Sequence, residues 1–201
     1  EPAGTGCEWP ACGNSGHESI WSLLGCVVFA INGGINPKNG AEGRPCKKLY
    51  EYDSFEEFLA EVKAQAEYYL DWQVTICNLY EQMYSEVFPC ISASVMMEGC
   101  MESGKDVTWG GSKYNSTGVT CIGIANVADS LMTVKKLVFD DKVVSARELY
   151  DALAANWEGY ENLRQIIINE VPHYGNDNDA VDELARWGMG VFADHLVKCE
   201  G

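Results

Sequence analysis

The residues able to do chemistry are thinly spread, and most of their spacings fail the geometry each chemistry needs. Cys7, Cys12 and His17 recur at five-residue intervals. A structural zinc site shows a tight ligand pair followed downstream by a second pair. No compact Cys/His pair follows here, so no metal is expected at these residues. Asp177-Asn178-Asp179, with Asp182 and Glu183, offers oxygen ligands of the calcium-loop type. That loop needs glycine at its sixth position and a bidentate glutamate at its twelfth. Asp182 stands where the glycine should, and the acids read instead as a solvated loop that caps the following helix. Gly110-Gly111 lacks the Lys-Ser/Thr of a phosphate loop. Three histidines give no Ser-His-Asp set by spacing, and His195, inside a helical pattern, reads as structural. Nine cysteines are an odd number, and several sit in apolar runs such as Gly25-Cys26-Val27-Val28. They read as free thiols of a reducing compartment, so a cytoplasmic protein is expected.

The elements that must position these residues are mostly helical. Residues 1–16 read as an irregular loop. A helical pattern runs from His17 to about Ile31, and Asn32-Gly33-Gly34 stops it. Residues 35–53 form a polar connection. Ser54-Phe55-Glu56-Glu57 is a capping box. Behind it Phe55, Phe58, Leu59, Val62, Ala66, Tyr69, Leu70, Ile76, Leu79, Tyr80, Met83 and Val87 recur every three or four residues, predicting one long amphipathic helix that ends before Pro89. Cys90 to Met97 is apolar and short, and reads as a buried strand or the lead into one. Asp106 to Thr117 is turn-rich, with a short strand at Lys113-Tyr114-Asn115-Ser116. Further helices are expected at 122–139, at 145–156 behind the Ser145-Ala146-Arg147-Glu148 capping box, and at 158–170 and 179–198. No repeat or long linker interrupts this, so a single domain over 1–201 is expected.

Composition narrows the partners. The 201 residues include 14 Lys or Arg and 30 Asp or Glu, a net charge of −16. That surplus argues against nucleic acid, whose affinity comes from cations that neutralise phosphates, and against anionic membrane surfaces. The longest hydrophobic stretch, Cys26 to Ile31, is too short to cross a bilayer, and Glu1-Pro2-Ala3-Gly4 does not read as a secretory signal. At 47% hydrophobic the chain is of ordinary globular composition.

One run says more. Met97-Glu98-Gly99-Cys100-Met101-Glu102-Ser103-Gly104-Lys105-Asp106-Val107-Thr108-Trp109-Gly110-Gly111-Ser112-Lys113-Tyr114-Asn115 resembles the E-G-C-M-E-x-G-x-D-V-x-x-G-G-x-x-Y-N stretch of the glycyl radical enzyme family, in its dehydratase and decarboxylase branch. Ala128-Asp129-Ser130-Leu131, the run Lys135 to Lys142 and Tyr174-Gly175-Asn176-Asp177 are similar to the same family, in the same order.

The resemblance implies an α/β fold: the second half of a ten-stranded barrel, helix-rich with short buried strands. It implies a radical stored on a backbone glycine in an R-V-x-G-[YF] loop, passed to a cysteine in G-C-x-E-P whose glutamate serves as acid/base. The chain opens Glu1-Pro2, so Glu1 resembles that glutamate. The expectation is therefore an internal fragment, inactive alone, with the thiyl cysteine just before Glu1 and the radical glycine beyond Gly201. Cys7, in Thr5-Gly6-Cys7-Glu8, is the alternative thiyl residue. Trp109 and His17 are the candidate substrate contacts, although core packing and helix packing are the plainer readings of each. The resemblance further implies a small-molecule substrate, an S-adenosylmethionine iron–sulfur activase as partner, no cofactor bound within these residues, and an oligomer that a homodimer would satisfy.

Formate acetyltransferase itself carries two adjacent cysteines and no equivalent glutamate. The reading leans to C–O elimination from a small polar substrate, over decarboxylation of an arylacetate. A reading of another class is a non-catalytic acidic module that binds a partner through the 54–88 helix.

Overall fold

The computed structural model describes residues 13–14, 19–115 and 119–199. The chain divides into two compact units. Of the described residues, one holds 13–14, 19–21, 72–115 and 119–120; the other holds 22–71 and 121–199.

The larger unit carries the main core. Helix α1 spans Leu23–Ile31, and Asn32 closes it through its backbone N–H to the carbonyls of Val28 and Phe29. Gly33 and Gly34 follow with φ of 69° and 82°, the left-handed conformation the sequence demanded of them. The helix starts later than expected. Ser19–Ser22 is a strand, β2, paired with β4 at Val119–Ile122. Its side chains alternate, Ile20 65% exposed against Trp21 at 5%, so a period of two overrides the helical period that Ile20 suggested.

Helix α2 spans Phe55–Val87, 33 residues, and ends before Pro89 as the spacing predicts. Its N-terminus is tied as a shifted capping box. Ser54 Oγ accepts from the Glu57 backbone N–H at 3.1 Å, while Glu57 Oε2 accepts from the N–H of Asp53, not Ser54, at 2.8 Å. Phe55, Phe58, Val62, Ala66 and Leu70 are buried, the last four completely. Burying a side chain such as Phe58 contributes about 1.5–3 kcal/mol each.

Helix α5, Ile124–Thr133, packs on α8, Asp179–Leu196, and on α1. Its start is displaced from 122 because β4 occupies Val119–Ile122 and Gly123, at φ 87°, makes the switch. Beyond Thr133 the chain continues as a seven-residue π-helical segment, Val134–Asp140. The wider turn is reflected in its ion pairs. Lys135 pairs with Asp140 and Lys136 with Asp141, each five residues apart, where an α-helix would favour three or four. Helix α6, Ala146–Ala154, is capped by Ser145 Oγ at 3.1 Å from the Glu148 N–H, and α7 spans Glu161–Glu170. Asn178 caps α8, accepting from the Val181 N–H, so the acids that mimic a calcium loop belong to a helix start.

In the smaller unit the apolar stripe of α2 continues but lies open: Leu79, Tyr80, Met83, Tyr84 and Val87 are all exposed. The expected buried strand at 90–97 is absent. Ile91–Ser94 is a single helical turn, α3, with Ile91, Val95 and Met96 exposed, and the hydrogen bonds of Asp106 described below hold it in that form. After the short helix α4, Cys100–Ser103, and a 3₁₀ turn at Val107–Trp109, Tyr114–Asn115 forms β3. It pairs in parallel with β1, Gly13–Asn14. The described strands thus form two two-stranded sheets between helices. No described helix is long and apolar enough to cross a membrane, and the seven described cysteines, Cys26, Cys46, Cys77, Cys90, Cys100, Cys121 and Cys199, are free.

Candidate functional site

The Met97–Asn115 run folds as one hydrogen-bonded knot inside the smaller unit, and at its centre is Asp106, a residue for which the motif alone predicts no role. Asp106 Oδ1 accepts from the Cys90 backbone N–H at 3.1 Å, the Thr108 N–H at 2.9 Å and the Thr108 hydroxyl at 2.8 Å. Its Oδ2 lies 2.7 Å from Ser94 Oγ, which in turn accepts from the Val107 N–H at 2.9 Å. Burial pushes the Asp106 carboxyl up, but these donors together outweigh it and hold it down at about 2. The carboxylate therefore fastens α3 to the 3₁₀ turn that carries Trp109.

Glycines set the rest of the knot. Gly99 sits at φ 98°, where a Cβ would lie 2.8 Å from the Lys113 nitrogen. A Cβ on Gly111 would strike the Lys105 carbonyl oxygen and come within 2.9 Å of that of Asp106. Two backbone strands meet there at a distance only glycine permits. Lys113 closes the assembly twice, its N–H donating to the Glu98 carbonyl at 2.8 Å and its Nζ pairing with Glu98 Oε1 at 2.8 Å.

Trp109 is not core. It is 57% exposed, its indole N–H donates to the Ser85 carbonyl of α2, and its ring forms one wall of an open cleft of about 530 Å³. Glu81, Gln82, Ser85, Glu86 and Thr108 line the remainder. Such a cleft offers an aromatic face and carboxylate acceptors, suited to hydroxyl-bearing or cationic groups and repellent to anions.

Two other family-like runs meet in the larger unit. Asp129 Oδ1 accepts from the Tyr174 backbone N–H at 2.7 Å across 45 residues, and its Oδ2 lies 3.5 Å from His173 Nδ1. Glu1, Cys7 and His17 fall outside the described residues, as do Cys12 and so the whole Cys7/Cys12/His17 set. Of the expected site residues, Trp109 alone is described.

Comparison with known proteins decides the lineage. Residues 3–200 match the pyruvate formate lyase-like family. The chain belongs to that family. It is 39% identical over 172 residues to (2S)-3-sulfopropanediol dehydratase of Klebsiella oxytoca, covering 85% of this chain and 21% of that protein. It is 36% identical over 173 residues to trans-4-hydroxy-L-proline dehydratase of Clostridioides difficile, covering 86% of this chain and 22% of that one. The glycerol-bound B12-independent glycerol dehydratase of Clostridium butyricum superposes with a TM-score of 0.86 at 33% identity, over 96% of this chain and 24% of that structure. These relatives place the chain in the dehydratase branch of the glycyl radical enzymes, and it spans about a fifth of the length of the curated relatives it matches.

Proposed function

We propose that the chain is part of a glycyl radical dehydratase that cleaves a C–O bond in a small hydroxylated substrate. The observation carrying this reading is the Met97–Asn115 knot. The family-like residues Glu98, Gly99, Asp106 and Gly111 each have a geometric role there, and the relatives reported above are named for dehydration. On this reading the residues form part of the second half of a ten-stranded barrel. The whole enzyme works with an S-adenosylmethionine iron–sulfur activase, and a homodimer is compatible with it.

A sulfur-centred radical supplies hydrogen-atom abstraction from carbon in such enzymes. The part assigned to this chain is proton management. Glu1, as a carboxylic acid, protonates the departing hydroxyl so that it leaves as water, and as a carboxylate it takes the proton of a neighbouring hydroxyl. Cys7 is the alternative site of the sulfur radical, and His17 an alternative substrate contact. Trp109 contributes an apolar wall to the substrate. Its indole favours an aromatic acid and hence decarboxylation, but Glu81 and Glu86 on the same cleft would repel an arylacetate anion, so elimination from a neutral or cationic substrate is the better match.

The test is made on the full-length parent, activated without oxygen and assayed with hydroxylated substrates. Glu1→Gln is expected to lower kcat by at least about 100-fold, and Trp109→Ala to raise KM with a smaller effect on kcat. An unchanged kcat in Glu1→Gln overturns the assignment. The gene offers a second check, since it should encode Cys two codons before Glu1 and R-V-x-G-[YF] downstream.

A further inference from the structure

Where α8 ends against α2, two pairs of side chains spaced i, i+4 face one another within the larger unit. Glu67 and Asp71 stand one turn apart on α2. His195 lies in the last turn of α8, and Cys199 follows one turn on, its backbone N–H bonded to the Leu196 carbonyl at 3.0 Å. One donor atom from each of Asp71, His195 and Cys199 lies within 4.8 Å of the others. We propose that Asp71 Oδ1, His195 Nε2 and Cys199 Sγ bind one divalent ion of the zinc class, clasping the end of α8 to α2.

The ligand types select the ion. A thiolate with an imidazole favours zinc or cobalt over magnesium or calcium, which prefer all-oxygen shells. Three protein ligands leave a fourth, water-filled position of the tetrahedral shell. The second observation concerns the other ring nitrogen. Glu67 Oε1 lies 3.9 Å from His195 Nδ1, an ion-pair distance rather than a hydrogen bond. With the ion in place of the Nε2 proton, a small turn of the Glu67 side chain would bring its carboxylate onto the Nδ1–H, the outer contact that metal-binding histidines use.

His195 Nε2 and Asp71 Oδ1 are 2.7 Å apart, a hydrogen-bond distance at which one proton occupies the place the ion would take. In a tetrahedral zinc site the donors sit roughly 3.3–3.7 Å apart, from bond lengths of about 2.0–2.3 Å. This pair must therefore open by under about 1 Å, and any wider gap, none exceeding 4.8 Å, close by at most about 1 Å. The Asp71 side chain, 68% exposed, has the room to do so.

Titration of the protein with Co²⁺, followed by Zn²⁺ displacement, tests this. The expected result is one saturable equivalent with a sulfur-to-cobalt charge-transfer band, lost in Cys199→Ser. Zn²⁺ affinity should fall at least about tenfold in Cys199→Ser and in Asp71→Asn, which alters an exposed carboxylate without touching the core, and by about tenfold in Glu67→Gln. Cys90→Ser, an exposed thiol elsewhere, should change nothing. Absence of a saturable band, a band that survives Cys199→Ser, or one lost with Cys90→Ser overturns the site. These readouts are independent of dehydratase activity.

Discussion

Neutralising Asp106 should loosen the knot around Trp109, and the loss should depend on pH in a defined direction. The folded carboxyl titrates at about 2 against an ordinary 3.8, so its ionised form is favoured by folding. The stability it contributes is complete above about pH 4–5 and is lost as pH falls through 2. That difference in pKa corresponds to ~2 kcal/mol, and solvent screening of a half-buried group reduces it to ~1–2 kcal/mol. Roughly two-thirds of that contribution should be gone by pH 2.5.

Asp106→Asn keeps an acceptor for Cys90 and Thr108. Its amide would donate to Ser94 Oγ, whose own proton then turns to the Cys90 carbonyl 2.8 Å away. The charge is lost but no partner is stranded, at a cost of ~1 kcal/mol. Asp106→Ala strands the Cys90 and Thr108 amides and should cost ~2–3 kcal/mol. Hydrogen exchange at the Cys90, Val107 and Thr108 amides reports this local opening directly, about tenfold in protection per 1.4 kcal/mol. The gap between wild type and Asp106→Asn should narrow between pH 6 and pH 2.5. A gap independent of pH, or equal losses in the Asn and Ala variants, would refute the account.

Two further outcomes follow from the same geometry. Gly111→Ala should destabilise the smaller unit by about 3 kcal/mol, since its Cβ meets backbone that cannot yield; hydrogen exchange at the Val107 and Thr108 amides in urea would measure it. Among the described cysteines, thiol alkylation followed by mass spectrometry should modify the exposed Cys90 first. Cys26, whose thiol burial, with Cys121 nearby, pushes up to about 12, has a thiolate fraction of only ~10⁻⁴ at pH 8 and should react only on unfolding.

The helices were legible because their signals are local. Ser54 and Ser145 cap where their spacing to Glu57 and Glu148 predicts, and Asn32 with Gly33 stops α1 as glycine chemistry requires. The short elements were not. Cys90–Met97 has a strand's composition, yet a carboxylate 16 residues away takes the Cys90 N–H and the segment turns helical. Ile20 fits a helical stripe until pairing with β4 imposes alternation. The π-helical run left no mark in hydrophobic periodicity, because its register is seen only in Lys135–Asp140 and Lys136–Asp141. The cluster of Asp71 with His195 was invisible for a different reason: 124 residues separate its hydrogen-bonded members. Trp109 could be singled out in the sequence, but whether its ring faced core or solvent depended on the Ser85 carbonyl that receives its N–H.

The bare second half of α2 has a practical consequence. Leu79, Tyr80, Met83, Tyr84 and Val87 form a sticky ridge on a molecule of charge −16. In dilute buffer mutual repulsion keeps such ridges apart, whereas at about 1 M salt the Debye length shrinks to ~3 Å and that protection vanishes. Purified by itself, the polypeptide should therefore be monodisperse at low ionic strength and self-associate as salt is added, the reverse of a protein held together by ion pairs.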